Sequence, residues 1–173
     1  DSLSASGAIR FLADRACALR LQERSAQEIV RELEALRNRL TIFFLVDTLE
    51  YLYRGGRLSK TEAALGKIAN IKPLLRLDRA GKVAVAEKCF GMTRALHSVT
   101  RQIQACPADP AFPFYSLWSY GAENCEELEA RLKNAGISVD RRLQVGAAIG
   151  THIGPRAAGV VYVSAEKAET ERR

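Results

Sequence analysis

The chain has 173 residues, 47% of them hydrophobic and 27% charged, with 26 lysines and arginines against 20 aspartates and glutamates. That length and balance suit one soluble globular domain with a full core. No apolar stretch approaches the roughly 20 residues that a membrane-spanning helix needs, and no basic-then-apolar leader opens the chain.

The net charge of +6 invites comparison with proteins that bind nucleic acid or an anionic membrane. The basic residues, however, mix with acids at helical spacing, as in RELEALRNRL and EELEARLK, which marks solvated helix faces. No polybasic block is interleaved with aromatics, so nucleic acid is not expected as a partner. Four cysteines (Cys17, Cys89, Cys106 and Cys125) lie far apart without a CxxC pair, so they read as reduced thiols of a cytoplasmic protein. Cys17 falls on the apolar face of the first helix and reads as core. The chain opens on Asp1 without an initiator methionine, as expected of a piece of a longer protein.

Ile9, Leu12, Ala13, Ala16, Cys17 and Leu19 recur at helical spacing, which predicts an amphipathic helix over 5–22. Ser25 and Glu28 form a capping box for a second helix, whose face is traced by Ile29, Leu33, Leu36 and Leu40. Thr41 to Val46, TIFFLV, has the β-branched and aromatic composition of a buried strand. A short helical piece follows, with Asp47 as its expected cap, and it stops at Gly55 and Gly56. Both glycines are expected to adopt backbone angles that strain other residues. Ser59 and Glu62 repeat the capping pattern for a helix over about 59–68.

Residues 73–78 and 82–88 read as strands joined by a hairpin turn at Arg79-Ala80-Gly81. A helix is expected over 92–104, a proline-rich loop over 106–113, a strand over 114–120 and a helix over 123–135. Strands over 138–145 and 160–163 close the fold before a charged tail at 164–173. Five helices, besides the short helical piece before Gly55, interleaved with six strands predict an α/β, two-layer domain over 1–163, with a mixed six-stranded sheet and helices packed mainly on one face.

Two residues stand out as candidate ligands. Arg57 follows the glycine pair at once, so its planar guanidinium is offered from a tight turn and suits a carboxylate; the alternative is that it clamps helix-end carbonyls or pairs with an acid. His152, in GTHIGP between Gly150 and Gly154, has a constrained backbone and can hydrogen-bond a carboxylate; otherwise it is a structural or exposed loop residue. His97 has no partner motif and reads as surface or packing. Tyr51, Tyr53, Phe43, Phe44 and Trp118 suit the wall of an apolar pocket or plain core. No HExxH, P-loop, GxSxG or GxGxxG motif occurs, and Cys and His do not cluster as metal ligands. A binding protein without metal or cofactor is expected, not an enzyme.

Four blocks, DSLSAS (1–6), DTLEYLYRGGRL (47–58), NIKPLL (70–75) and GTHIGP (150–155), in this order and at these intervals, resemble the C-terminal half of the DegV family of bacterial fatty-acid-binding proteins. The resemblance covers most of residues 1–163. It implies a two-layer lipid-binding domain that holds a long-chain fatty acid in an apolar cleft, with Arg57 and His152 at the carboxylate. It also implies a further N-terminal domain absent from this chain, and a fatty-acid kinase as partner that phosphorylates the bound acid. Two positions depart from the family pattern: Arg156, where glycine is usual, and Phe90, where arginine is favoured. Arg156 is expected to narrow the approach to the site or to add a second positive charge there. The rival readings are a phosphate- or nucleic-acid-binding module built on the Gly55-Gly56-Arg57 turn, and a structural dimerisation domain.

Overall fold

A computed structural model describes residues 1–59 and 70–165. The helix expected over 59–68 falls outside those residues but for Ser59, as do residues 166–173 of the tail. The described helices are α1 (Gly7–Leu21), α2 (Ala26–Arg37), α3 (Glu50–Arg54), α4 (Met92–Ala105), α5 (Glu123–Asn134) and α6 (Ala147–Ile153). The strands are β1 (Leu40–Leu45), β2 (Leu74–Leu77), β3 (Val83–Glu87), β4 (Tyr115–Trp118), β5 (Arg141–Gln144) and β6 (Ala158–Val163).

The six strands form one sheet in the order β3-β2-β1-β6-β4-β5. Every neighbouring pair is antiparallel except β4–β5, which is parallel. A parallel pair needs a crossover longer than a hairpin, and α5 supplies it. The α/β class and mixed sheet are those expected from the sequence. The hairpin is confirmed as well: Asp78 Oδ1 accepts from the amides of Ala80 at 2.9 Å and Lys82 at 2.8 Å.

Strand alternation divides the core in two. Phe43 and Leu45 of β1 and Val160 and Tyr162 of β6 pack against α4 through Leu96, Val99 and Ile103, and against α5 through Leu128 and Leu132. On the opposite face, Ile42, Val161 and Leu117 meet Phe11 and Leu12 of α1 and Leu36 of α2. Further along that face, Phe44, Val46 and Leu75 meet Leu52 of α3 and Ile153 of α6. Four described helices thus lie on one face and two on the other, so both faces of the sheet are covered.

Local chemistry explains most boundaries. Ser25 and Glu28 make the expected reciprocal cap of α2. Asp47 does not cap α3: Thr48 Oγ1 accepts from the Glu50 amide at 3.2 Å, while the Asp47 carboxylate is taken by Lys72 Nζ at 2.9 Å. Cys17 is exposed, contrary to its reading as core. Gly7 packs on Leu117, and this turns the buried stripe of α1 onto Ala8, Phe11, Leu12 and Leu19, leaving Ile9 48% exposed.

Behind β4, Glu129 of α5 accepts from Arg142 Nε at 2.9 Å and also from the buried Ser116 hydroxyl. The Arg142 bonds hold its carboxyl below the usual range, against the opposing effect of burial. A carboxyl whose folded pKa is depressed stabilises the fold above its unfolded pKa, and that contribution is lost as pH falls through the folded value. Glu129→Ala should therefore cost about 1.5–3 kcal/mol at neutral pH, the range for hydrogen bonds to charged groups, and progressively less in acid. Urea denaturation across pH tests this; a penalty unchanged in acid would contradict it.

Candidate functional site

The helix-bearing face that carries α1, α2, α3 and α6 is not filled by the described residues. Between the α1 contacts and the α3–α6 contacts lies a cavity of about 380 Å³, a volume typical of small-ligand sites. Ile42 and Phe44 of β1, Leu77 of β2, Val83 of β3 and Leu117 of β4 supply sheet-side lining. Leu52 of α3 and Ala148, Ile149 and Ile153 of α6 face them, and Ser4, Ala5 and Ser6 close in before α1. Of the aromatics noted in the sequence, Phe44 lines the cavity. Phe43 and Trp118 belong to the opposite core, and Tyr51 and Tyr53 are about 40% exposed.

Arg57 and His152, far apart in sequence, both line this cavity, and they converge on Gly55. The chain leaves α3 in a turn in which the Gly56 amide bonds to Tyr53 O at 2.9 Å and the Arg57 amide to Leu52 O at 2.8 Å. Of the two glycines only Gly56 has a positive φ, +70°; Gly55 has φ −75°, which any residue adopts. Gly55 is required for a different reason. A β-carbon there would lie 2.1 Å from His152 Nδ1, so the imidazole packs directly on the bare backbone. Arg57 Nη1 donates to the carbonyl of the same glycine at 2.6 Å. One alternative for Arg57, a clamp on a helix-end carbonyl, is thus realised, with the remaining guanidinium donors unspent on that bond.

His152 is not in a loop. It sits in α6, a short helix hidden from sequence periodicity by Gly150 within it and by Gly146 at its N-cap. Its Nδ1 is buried without a hydrogen-bond partner among the described residues, which leaves Nε2 as the nitrogen that a ligand can reach. The contact is reciprocated one turn away, where a β-carbon on Gly154 would meet the Tyr51 ring at 2.4 Å. Thus α3 and α6 pack ring against glycine at both ends of their contact.

Sequence reasoning missed Ser119. This buried residue follows β4, donates from Oγ to Gly154 O at 2.6 Å and accepts from the Ala157 amide at 3.0 Å. It therefore pins the turn that ends α6. A serine between a strand and a glycine is too common a pattern to be singled out. Arg156 does not line the cavity. It faces away to Asp47, 3.8 Å from its carboxylate, and its φ is +57°.

The DegV family model, described as an uncharacterised protein of that family, matches residues 1–165. The chain belongs to the DegV family. A DegV domain-containing protein of Streptococcus pyogenes serotype M3 is 34% identical over 166 residues, which span 94% of this chain and 57% of that protein. Another from Caldanaerobacter subterraneus is also 34% identical, over 86% of this chain and 53% of the relative. The chain therefore spans about half the length of the DegV relatives it matches. Among solved structures, a fatty-acid-binding DegV protein from Streptococcus agalactiae superposes with a TM-score of 0.80 at 26% identity, covering 90% of this chain and 55% of that one. A fatty-acid-binding DegV protein from Thermus thermophilus gives a TM-score of 0.74 at 29% identity, covering 88% and 55%.

Two substitutions test the packing. Gly55→Ala should destabilise by about 1–3 kcal/mol, as overpacking does, and displace the His152 ring. Gly150→Ala, with open space at the added carbon, should stabilise α6 by about 0.5–1 kcal/mol. Equal effects at the two positions would refute the close approach. Arg156→Gly should leave stability unchanged or raise it, because the left-handed backbone favours glycine and an exposed ion pair contributes little. A marked loss in thermal melts would show that Arg156 holds more than its distant contact with Asp47.

Proposed function

We propose that this chain is the acyl-binding part of a fatty-acid carrier and binds rather than transforms its ligand. One observation carries the reading: an apolar cavity is lined by two polar side chains, Arg57 and His152, that both contact Gly55. The relatives described as fatty-acid-binding support it. In this reading the carboxylate lies against Arg57 and Nε2 of His152, and the acyl chain runs along the sheet over Phe44 and Ile42. Burying an acyl chain of about 14 methylenes at about 0.8 kcal/mol each gives roughly 11 kcal/mol gross. A charge-assisted hydrogen bond adds only about 1.5–3 kcal/mol. Tail burial drives affinity, and the polar pair sets direction and selects an acid over an alcohol.

The finer assignments rest on the resemblance carried by the sequence blocks. They are delivery of the bound acid to an ATP-dependent fatty-acid kinase and a cytoplasmic setting, with which four free cysteines agree. The apolar lining favours a lipid over the rival phosphate or nucleic-acid ligand.

Native mass spectrometry of the purified chain with added palmitate, followed by solvent extraction, tests the proposal. A stoichiometric complex is expected. Arg57→Ala and His152→Ala should each weaken binding about tenfold, equivalent to about 1.4 kcal/mol, with little dependence on salt. Affinity that collapses with salt would instead indicate a polyanion ligand, and unchanged affinity in both variants would remove the pair from the carboxylate site.

A further inference from the structure

The cavity has a second end, and its walls are built differently. Arg57 and His152 belong to elements attached where β1 leaves the sheet and β6 enters it, the Leu45–Ala158 end. The other end lies towards Ile42 and Leu77, where the β2–β3 hairpin turns at residues 78–82. Across that hairpin runs the segment Asp1–Ser6, and three consecutive residues of it, Ser4, Ala5 and Ser6, line the cavity together with Gly81.

This segment is fastened on both sides. Arg37 Nη1 of α2 donates to Asp1 O at 2.7 Å. At the other side the amide of Ala8 bonds to Ala5 O and that of Ile9 to Ser6 O, each at 3.1 Å, which joins the segment to the first turn of α1. Between these anchors it presses on the hairpin, backbone on backbone. A β-carbon on Gly81 would stand 2.9 Å from Leu3 O, and the φ of Gly81 is +75°. Neither neighbour can yield by rotating a flexible side chain. The segment is therefore a fixed wall.

We propose that this strap and the hairpin beneath it form the stop for the acyl tail, and that Ala5 and Val83 set the chain length the domain prefers. The inference rests on the fatty-acid reading above and deepens it. Ala5 stands on the strap side and Val83 on the hairpin side of the same end, so the space between their side chains fixes how many methylenes fit. The direction of the ligand follows from chemistry. Ser4 and Ser6 offer neutral hydroxyls, whereas the opposite end holds a guanidinium and an imidazole, and a carboxylate prefers the charged donor. Each methylene that finds no room forfeits its burial, so selectivity between acids should be steep.

Competition among laurate, palmitate and stearate for the chain and two variants tests this. Ala5→Leu adds bulk at the stop without touching a backbone bond, and should weaken stearate tenfold or more while leaving laurate within about twofold. Val83→Ala opens the same end and should move preference towards stearate. If the parent chain binds fatty acids and neither variant alters the ranking, the strap is not the stop and this proposal is overturned, while the carrier reading stands. If all three acids lose affinity equally in Ala5→Leu although its thermal melt matches the parent, Ala5 acts on binding without setting length, which also overturns it. If the parent binds none of the three acids, the carrier reading itself fails.

Discussion

The contact between the His152 imidazole and the backbone of Gly55 is the constraint on which the rest of this site depends. Two short helices of seven and five residues have little stability of their own, and α3 and α6 are held by packing. Removing the side chain at position 55 lets the imidazole approach to a distance that no β-carbon allows, and Tyr51 repeats the arrangement on Gly154. The geometry places a ring nitrogen against the backbone whose carbonyl also holds Arg57. One residue without a side chain therefore positions both polar groups of the cavity.

What surrounds that contact keeps it in place. Ser119 ties the end of α6 to the strand β4. Asp47, at the entrance to α3, binds Lys72 and stands near Arg156 at the exit from α6. Both ties run to the sheet or to segments leading into it, so the polar end of the cavity inherits the rigidity of the six strands. Among the described residues, the cavity exists because α1 and α2 cover one stretch of the sheet, α3 and α6 another, and the strip between them is left open. Phe44 and Ile42 line that strip, and an apolar ligand gains by leaving water for such a surface.

Much of this was legible in the sequence. The buried strands TIFFLV and VVYV, the Ser25–Glu28 cap and the Asp78–Lys82 hairpin turn all carry local signals strong enough to survive in the fold. Arg57 and His152 were singled out from their glycine-flanked settings, and both line the same cavity. The strained backbone expected at Gly55 is not found there, since its φ is −75°: a sequence shows that a residue lacks a side chain, but not which ring fills the space. The helix α6 was hidden because glycines at 146 and 150 dilute its periodicity, and it is fixed by tertiary contact with α3. Cys17 was misplaced because periodicity gives a stripe without its exact rotation, which here is decided by the seating of Gly7 on Leu117. Ser119 and the fate of Asp47 depend on partners 35 and 25 residues away, a separation at which no local pattern reports.

The most direct measurement is carbon NMR of carboxyl-labelled palmitate added to the chain and to its Arg57→Ala and His152→Ala forms. One bound carboxyl resonance is expected, distinct from free acid, that shifts in both variants while the acid stays bound at raised concentration. A bound acid whose carboxyl resonance is the same in all three proteins would show that the head group lies elsewhere. No bound resonance in the parent chain would show that the cavity does not hold a fatty acid.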